Sequence, residues 1–352
     1  MRVLITGGAG YIGRHVALAM YIAGHTIELL DSLDRGTIKD VKELEDIAGA
    51  HFPLHILDLS RDSCAVHKLF LHTTYDVVVH LACVKPVAGS NLSICNCYAI
   101  DIGGTMNLLS AMESGSNKRC NRLIFCSSAS VYGERRDSTI AWKEEEWSNT
   151  ACLPNSAYGI SKYAIECVLQ QLASNWAICV LRCPEVIGAL AGGGLADTGR
   201  SNLISRIAGS TKNNPFKVGA GDPNTADGSP VRDYVHVTDI ASAHVKALES
   251  FYIKSKGNAQ GQYHFPRGIR HYNVATGKGT SVWQLVLCLQ RALDKTIPCL
   301  KDTKSHRPHS IRLISPRKIQ KELGWFPEHS LENMCIDSIN GFKKVSSSIL
   351  DE

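Results

Sequence analysis

Leu4-Ile5-Thr6-Gly7-Gly8-Ala9-Gly10-Tyr11-Ile12-Gly13 is the stretch that decides how this chain folds. The apolar run at 3–6 reads as a buried strand, and residues 11–23 carry the spacing of a helix. Glycines at 7, 10 and 13 let the backbone between them turn tightly and come close to a ligand. The helix that follows offers unpaired N–H groups and the positive end of its dipole, a seat for a pyrophosphate. A glycine pattern is weak alone, but a strand before it and a helix after it make it a dinucleotide-binding turn. Asp31 closes the next strand, 18 residues after Gly13. A carboxylate there accepts hydrogen bonds from an adenosine ribose and repels a 2′-phosphate, which favours NAD over NADP. Arg35 is a counter-signal, since a guanidinium could pair with that phosphate. Asp58 ends a third strand; it either meets the adenine amino group or caps a helix beginning near Ser60.

Outward from this turn, short apolar runs alternate with helical stretches. Residues 26–30, 55–57, 77–80, 123–126 and 177–181 read as strands, and 105–114 and 158–174 as helices. The alternation predicts an α/β fold, a Rossmann-like doubly wound parallel sheet with helices on both faces. After residue 182 the pattern loosens into glycine-rich loops at 188–199 and 219–230, which suggests a smaller C-terminal α/β lobe. Residues 232–237 and 271–275 read as strands that return to the main body or form small sheets. The expected division is a cofactor domain over 1–182, with returning segments near 232–250 and 271–290, and a substrate lobe over 183–345. The tail from Val345 is polar and is expected to fray.

Composition narrows the function classes. With 352 residues, 44% of them hydrophobic and 20% charged, the chain can bury a sizeable core. A net charge of +5, from 38 Lys and Arg against 33 Asp and Glu, is too mild for a nucleic-acid partner and suits a phosphate-bearing small molecule. The 13 cysteines are scattered, with Cys95-Asn96-Cys97 the nearest approach to a pair. That spacing offers no metal site and suits reduced thiols in a cytosolic protein. The chain enters its glycine turn too early for an export signal, and no apolar run approaches the roughly 20 residues of a membrane span.

Tyr158-Gly159-Ile160-Ser161-Lys162 places a phenol and an ammonium at i and i+4 on one helix face. A free tyrosine titrates near 10 and is a poor base at neutral pH. A fixed ammonium, together with the charge of an oxidised nicotinamide, favours the phenolate; lowering the pKa by ~3 units takes ~4 kcal/mol. Upstream, Phe125-Cys126-Ser127-Ser128-Ala129-Ser130-Val131-Tyr132-Gly133 reads as a buried strand that ends in hydroxyls. Ligands of open α/β sheets bind beyond such strand ends. Ser128 there holds the substrate hydroxyl and relays its proton to Tyr158, or else belongs to a Ser-rich turn that caps a helix.

These motifs, in this order, resemble the extended short-chain dehydrogenase/reductase family, most closely its UDP-glucose 4-epimerase group. His80-Leu81-Ala82-Cys83-Val84-Lys85-Pro86-Val87 and Asp227-Gly228-Ser229-Pro230-Val231-Arg232-Asp233-Tyr234-Val235-His236-Val237 carry the closer likeness, which runs from Gly7 to about Trp325. The resemblance implies that Gly7, Gly10, Tyr11, Ile12, Asp31, Asp58, Leu59, Lys85, Tyr158 and Lys162 bind NAD. It assigns the chemistry to Ser128 and Tyr158, the UDP diphosphate to Arg232 and Arg307, and the nucleotide or its phosphates to Asn202. The implied reaction is transient oxidation of the sugar 4-hydroxyl. Tyr158 takes the proton, C4 passes its hydride to NAD, and the 4-keto sugar receives it back on the opposite face. A UDP-sugar substrate and a homodimer built through helices are further implications.

Several positions depart from that pattern. Leu181-Arg182-Cys183-Pro184-Glu185 stands where the group carries Leu-Arg-Tyr-Phe-Asn, so an aromatic beside the nicotinamide and a substrate-facing amide are lost. Ala220 replaces an aromatic near uracil, and Asp101 an asparagine. Within 304–312, Arg307 lacks the acid that should follow it, and Arg312 falls where the group separates plain from N-acetyl sugars. Alternatives are a nucleotide-sugar 4,6-dehydratase, UDP-glucuronate decarboxylation, and a non-catalytic NAD-binding sensor. Ala129 stands where the first needs a carboxylate, the 227–237 segment argues against the second, and the retained Ser128, Tyr158 and Lys162 against the third.

Overall fold

A computed structural model describes residues 1–84, 93–114, 120–133, 140–148, 153–197, 199, 202–219, 225–251, 253–254, 263–264, 267–302 and 311–350. Lys85, Ala220 and Arg307 lie outside the described residues.

The first half supplies strands β1 (Arg2–Thr6), β2 (Thr26–Asp31), β3 (Leu54–Ile56), β4 (Val77–His80), β5 (Arg122–Ser128) and β6 (Ala177–Cys183). Between them run α1 (Tyr11–Ile22), α2 (Ile38–Ala48), α3 (Ser63–His72), α4 (Ile94–Tyr98), α5 (Gly104–Ser114) and α6 (Ala157–Leu172). A π-helical turn over Ala99–Gly103 joins α4 to α5. The second half holds β7 (Glu185–Ile187), β8 (Phe216–Gly219), β9 (Val231–Arg232), β10 (Tyr234–His236), β11 (Ile253–Lys254), β12 (Tyr263–His264), β13 (Gly268–Asn273), β14 (Thr280–Ser281), β15 (Cys299–Asp302) and β16 (Ile311–Arg312). Its helices are α7 (Leu203–Ala208), α8 (Val237–Glu249), α9 (Val282–Leu293), α10 (Arg317–Leu323) and α11 (Leu331–Leu350).

One seven-stranded sheet, in the order β13-β6-β5-β4-β1-β2-β3, is parallel throughout. The order reverses between β1 and β4, which opens a crevice at the carboxyl ends of the strands. Covered on both faces, β1, β4, β5 and β6 are buried almost end to end. Successive side chains point to opposite faces. Val3 and Ile5 therefore enter a core with Val16 and Met20 of α1 and Ile240 of α8, while Leu4 and Val78 enter another with Leu108, Ile165 and Leu169. A third core, of Ile207, Phe216, Leu285, Leu289 and Met334, belongs to the second half of the chain.

The two segments read as returning to the main body or forming small sheets divide between those outcomes, and α8, which follows the first, packs against α1. Residues 268–273 add the seventh strand, running parallel to β6 from Gly268 opposite Ala177 to Asn273 opposite Arg182. Residues 231–236 do not reach that sheet. Asp233 divides them, its carboxylate accepting from the amides of Thr276 and Gly277. Val231–Arg232 then joins a small sheet in the order β14-β9-β16, and Tyr234–His236 runs parallel to β7. The third strand begins at Leu54, one residue before the expected start. The tail expected to fray from Val345 is helical, because α11 packs Met334, Cys335 and Ile339 into the third core and continues to Leu350.

Candidate active site

The glycine turn is shaped by close packing. Gly7 sits at φ +70°, and a side chain there would bring a Cβ to 2.7 Å from the Ala82 nitrogen. A Cβ on Gly13 would strike the Gly7 carbonyl. Gly10 caps α1 with no side-chain hydrogen bond, so the first-turn amides face the crevice instead of a cap. That arrangement fits the pyrophosphate of a dinucleotide. Asp31 at the end of β2 accepts from the amides of Ala9 (3.0 Å) and Leu33 (2.9 Å), and burial pushes its carboxyl upward. Asp31, Asp58, Leu59 and Arg35 border a cavity of about 170 Å³ beside the turn. Asp58 caps no helix: α3 starts at Ser63 after Asp62, and the Asp58 carboxylate instead holds a turn through the Ser60 amide (2.8 Å) and hydroxyl (2.6 Å).

From Gly7, Gly10, Tyr11, Ile12 and Gly13 a cleft of about 620 Å³ runs past Ser128 and Tyr158 to Cys183, Glu185 and Asn202. Ser128 ends β5 and accepts from the Ser130 amide (3.1 Å), so it caps a single 3₁₀ turn and borders the cleft at once. The capping reading of the serine run therefore holds, and Ser128 also stands on the cleft. Ser156 caps α6 by accepting from the Gly159 amide (3.1 Å). Gly159 lies so close to the Ser130 carbonyl that a Cβ would strike it, which seats the start of α6 against the serine turn.

Lys162 is fully buried, with its Nζ donating to the Cys126 carbonyl (3.0 Å) and lying 5.8 Å from the centre of the Tyr158 ring. Burial opposes its charge, but Cys83, Asp101 and Cys126 outweigh burial and raise its pKa, so it is an ammonium. The Tyr158 phenol is pushed well above 10, first by burial and then by Cys83, Cys126 and Asp101. The surrounding groups thus oppose the phenolate, whereas the expectation that favours it counts the charge of an oxidised nicotinamide as well as Lys162. Asp101, buried in the π-helical turn, accepts from the Val84 amide (2.7 Å) and the Ser161 hydroxyl (2.8 Å).

Cys183, Pro184 and Glu185, which depart from the pattern, line the far wall. Cys183 is buried with its sulfur 3.9 Å from that of Cys126, and Glu185 pairs with Tyr234 between β7 and β10. Asn202 caps α7 through the Ser205 amide (2.7 Å) and donates to the Asp197 carbonyl (3.3 Å). The Arg232 guanidinium folds back to donate to the Val231 carbonyl (2.8 Å) and lies outside the cleft lining. Arg312, paired in register with Arg232, places its Nη1 3.4 Å from the Ser130 hydroxyl. Sequence reasoning missed Gly188, whose carbonyl accepts from the Tyr11 hydroxyl (2.7 Å) and whose amide donates to the Ser338 hydroxyl (2.8 Å). It also missed the fully buried Glu166–Arg182 pair behind the site, although Glu166 follows Lys162 at i+4 on the same face.

A model of the NAD dependent epimerase/dehydratase family matches residues 3–263. The chain is 33% identical over 353 residues to UDP-glucose 4-epimerase 2 of Oryza sativa subsp. japonica, covering 97% of this chain and 82% of that protein. It is 31% identical to the UDP-glucose 4-epimerase of Dictyostelium discoideum, over 96% of this chain and 94% of that one. The crystal structure of a UDP-glucose-4-epimerase from Stenotrophomonas maltophila, with bound NAD and formylated UDP-arabinopyranose, superposes with a TM-score of 0.83 at 29% identity over 99% of each chain. That of UDP-glucose 4-epimerase from Bifidobacterium longum, in complex with NAD+ and UDP, gives 0.82 at 28% over 98% of each. The family match takes in both the glycine turn and the tyrosine–lysine helix, and the chain belongs to the NAD dependent epimerase/dehydratase family.

Proposed function

We propose that the protein is a UDP-hexose 4-epimerase, interconverting UDP-glucose and UDP-galactose and accepting N-acetyl forms where the sugar pocket allows. One observation carries the reading: Tyr158 and Ser128 border a single cleft that begins at the dinucleotide turn and ends in the second half of the chain. The relatives named above, UDP-glucose 4-epimerases matched along nearly all of this chain, support it.

Bound NAD would supply the hydride acceptor and, in its nicotinamide, a second positive charge beside the phenol. Gly7, Gly10, Tyr11, Ile12 and Gly13 would hold its pyrophosphate, Asp31 its ribose, and Asp58 and Leu59 its adenine, with Lys85 a further contact. Ser128 holds the sugar 4-hydroxyl and Tyr158 removes its proton; Lys162 steadies the phenolate through its charge. Burial that raises the phenol also dries the cleft, where a charge acts more strongly than in water. Tyr158 returns the proton when the 4-keto sugar is reduced on its other face. Arg232 and Arg307 are assigned to the nucleotide diphosphate, and Asn202 to the nucleotide or its phosphates. In this reading residues 1–182, with the returning segments, bind cofactor, and 183–345 mainly bind the sugar nucleotide. A cytosolic homodimer completes the proposal; no helix among the described residues is long and apolar enough to cross a membrane.

The test is incubation of the purified protein with UDP-glucose, UDP-N-acetylglucosamine and UDP-glucuronate, followed by separation of products. The 4-epimer with no net NADH is expected; loss of water or of CO₂ would overturn the reading. Tyr158→Phe should lose at least ~10³-fold in turnover, in line with removal of a general acid/base, while retaining NAD.

A further inference from the structure

Glu166 joins the three segments of chain that meet at the acid/base groups. It lies four residues after Lys162 and eight after Tyr158, so all three project from one face of α6. Glu166 and Arg182 are fully buried. Glu166 Oε1 accepts from the Ser127 hydroxyl at 2.5 Å and from Arg182 Nε at 3.1 Å. Its Oε2 accepts from Arg182 Nη2 at 2.6 Å. Ser127 immediately precedes Ser128, and Arg182 immediately precedes Cys183 on the cleft wall. Arg182 Nη1 in turn donates to the Tyr132 hydroxyl at 2.7 Å, and that hydroxyl donates to Asn273 Oδ1 on β13 at 2.8 Å.

The network differs in kind from what surrounds it. Strands β5 and β6 are held by backbone pairing, with Ser127 opposite Arg182, so their register needs no side chain. Helix α6 has no such ladder; apart from the Lys162 bond to the Cys126 carbonyl, the Ser161 bond to Asp101 and the close seating of Gly159, its hold on the sheet is apolar packing, which is non-directional. A buried ion pair is also weak evidence for stability, since apolar residues of similar volume often do as well. What the pair supplies is direction, because a bidentate guanidinium–carboxylate contact has a fixed geometry.

We propose that Glu166 is a positioning residue for the reaction, fixing α6 against the end of β5 so that the Tyr158 phenol and the Ser128 hydroxyl converge on one substrate hydroxyl. The proposal rests on the roles given to Ser128 and Tyr158 above. A displacement of about 1 Å between such groups can cost on the order of a hundredfold in rate.

Ser127→Ala removes one arm and leaves the ion pair, so it keeps the proposal testable even where Glu166→Gln fails to fold. Turnover is measured on the nucleotide sugar that the wild type converts, with NAD affinity and thermal stability measured alongside. The expected result is a kcat lower by roughly tenfold in Ser127→Ala and more in Glu166→Gln, with KM and NAD affinity within about twofold. The double variant should be no slower than Glu166→Gln, because both changes cut the same link. An unchanged kcat in Ser127→Ala, a loss of NAD affinity matching the loss of rate, or additive effects in the double variant would overturn the positioning role alone. A wild type that converts no nucleotide sugar overturns the epimerase reading and this role with it.

Discussion

Tyr158 and Lys162 illustrate what a sequence can say about a single residue. Their spacing is local, and so is the helix face they share. The groups that set their charge are not local: Cys83 follows β4, Cys126 lies on β5, and Asp101 sits in a π-helical turn. Burial and those neighbours raise the phenol, and nothing in a five-residue motif could announce them. Asp101 is the carboxylate among them. Replacing it with asparagine keeps an acceptor for the Val84 amide or the Ser161 hydroxyl but removes the charge that raises the phenol. Asp101→Asn should therefore lower the phenol pKa and move the acid limb of kcat/KM against pH to lower pH. A limb that stays in place, or moves up, would show that Asp101 does not act on the phenol through its charge.

Elements were legible where they are buried on both faces. The strands of the first half announce themselves as short apolar runs, and the helices α1, α5 and α6 by their period. The small sheets were not, because two- or three-residue strands such as β9 and β10 carry no period and are placed by partners far along the chain. The place of β13 beside β6 was likewise open until pairing decided it. Gly159 offers a test of how tightly one element is seated. Alanine is worth ~1 kcal/mol more than glycine in an exposed helix. Here the added methyl meets a backbone carbonyl that cannot move aside, and overpacking of that sort costs ~1–3 kcal/mol. Gly159→Ala should lower both stability and kcat; denaturant midpoint and turnover check it, and a net gain in stability would contradict the close seating of α6.

At the scale of the molecule, four of the buried histidines among the described residues weaken the fold in acid. Burial lowers His15 to about 4, and His80, His236 and His271 to about 3. In the unfolded chain each titrates near 6.5. Their stabilising contribution is therefore complete above about pH 6.5 and is lost as pH falls toward 3–4, because the unfolded state binds the protons first. Asp233, raised by burial to about 6, works the other way and binds a proton earlier in the folded state. Each such histidine steepens the loss by at most ~1.36 kcal/mol per pH unit. Urea unfolding at pH 7, 6 and 5 measures it, and a free energy that is flat over that range would refute the assignment. None of this was readable from the histidine positions, since burial depends on both halves of the chain.

The contact between Tyr11 and Gly188 has a kinetic consequence. Tyr11 opens the helix at the dinucleotide turn, whereas Gly188 is held from its other side by Ser338 of the last helix. Both residues line the cleft that begins at the dinucleotide turn, so the bond ties one part of its wall to another. Loosening that tie is expected to shorten the residence time of NAD. An enzyme that returns its hydride in every cycle gains from slow exchange of this kind. Tyr11→Phe should shorten NAD residence several-fold, by about the worth of one hydrogen bond of ~1 kcal/mol. Displacement of bound NAD by a labelled analogue would time it, and an unchanged off-rate would show that the bond plays no part in holding the cofactor.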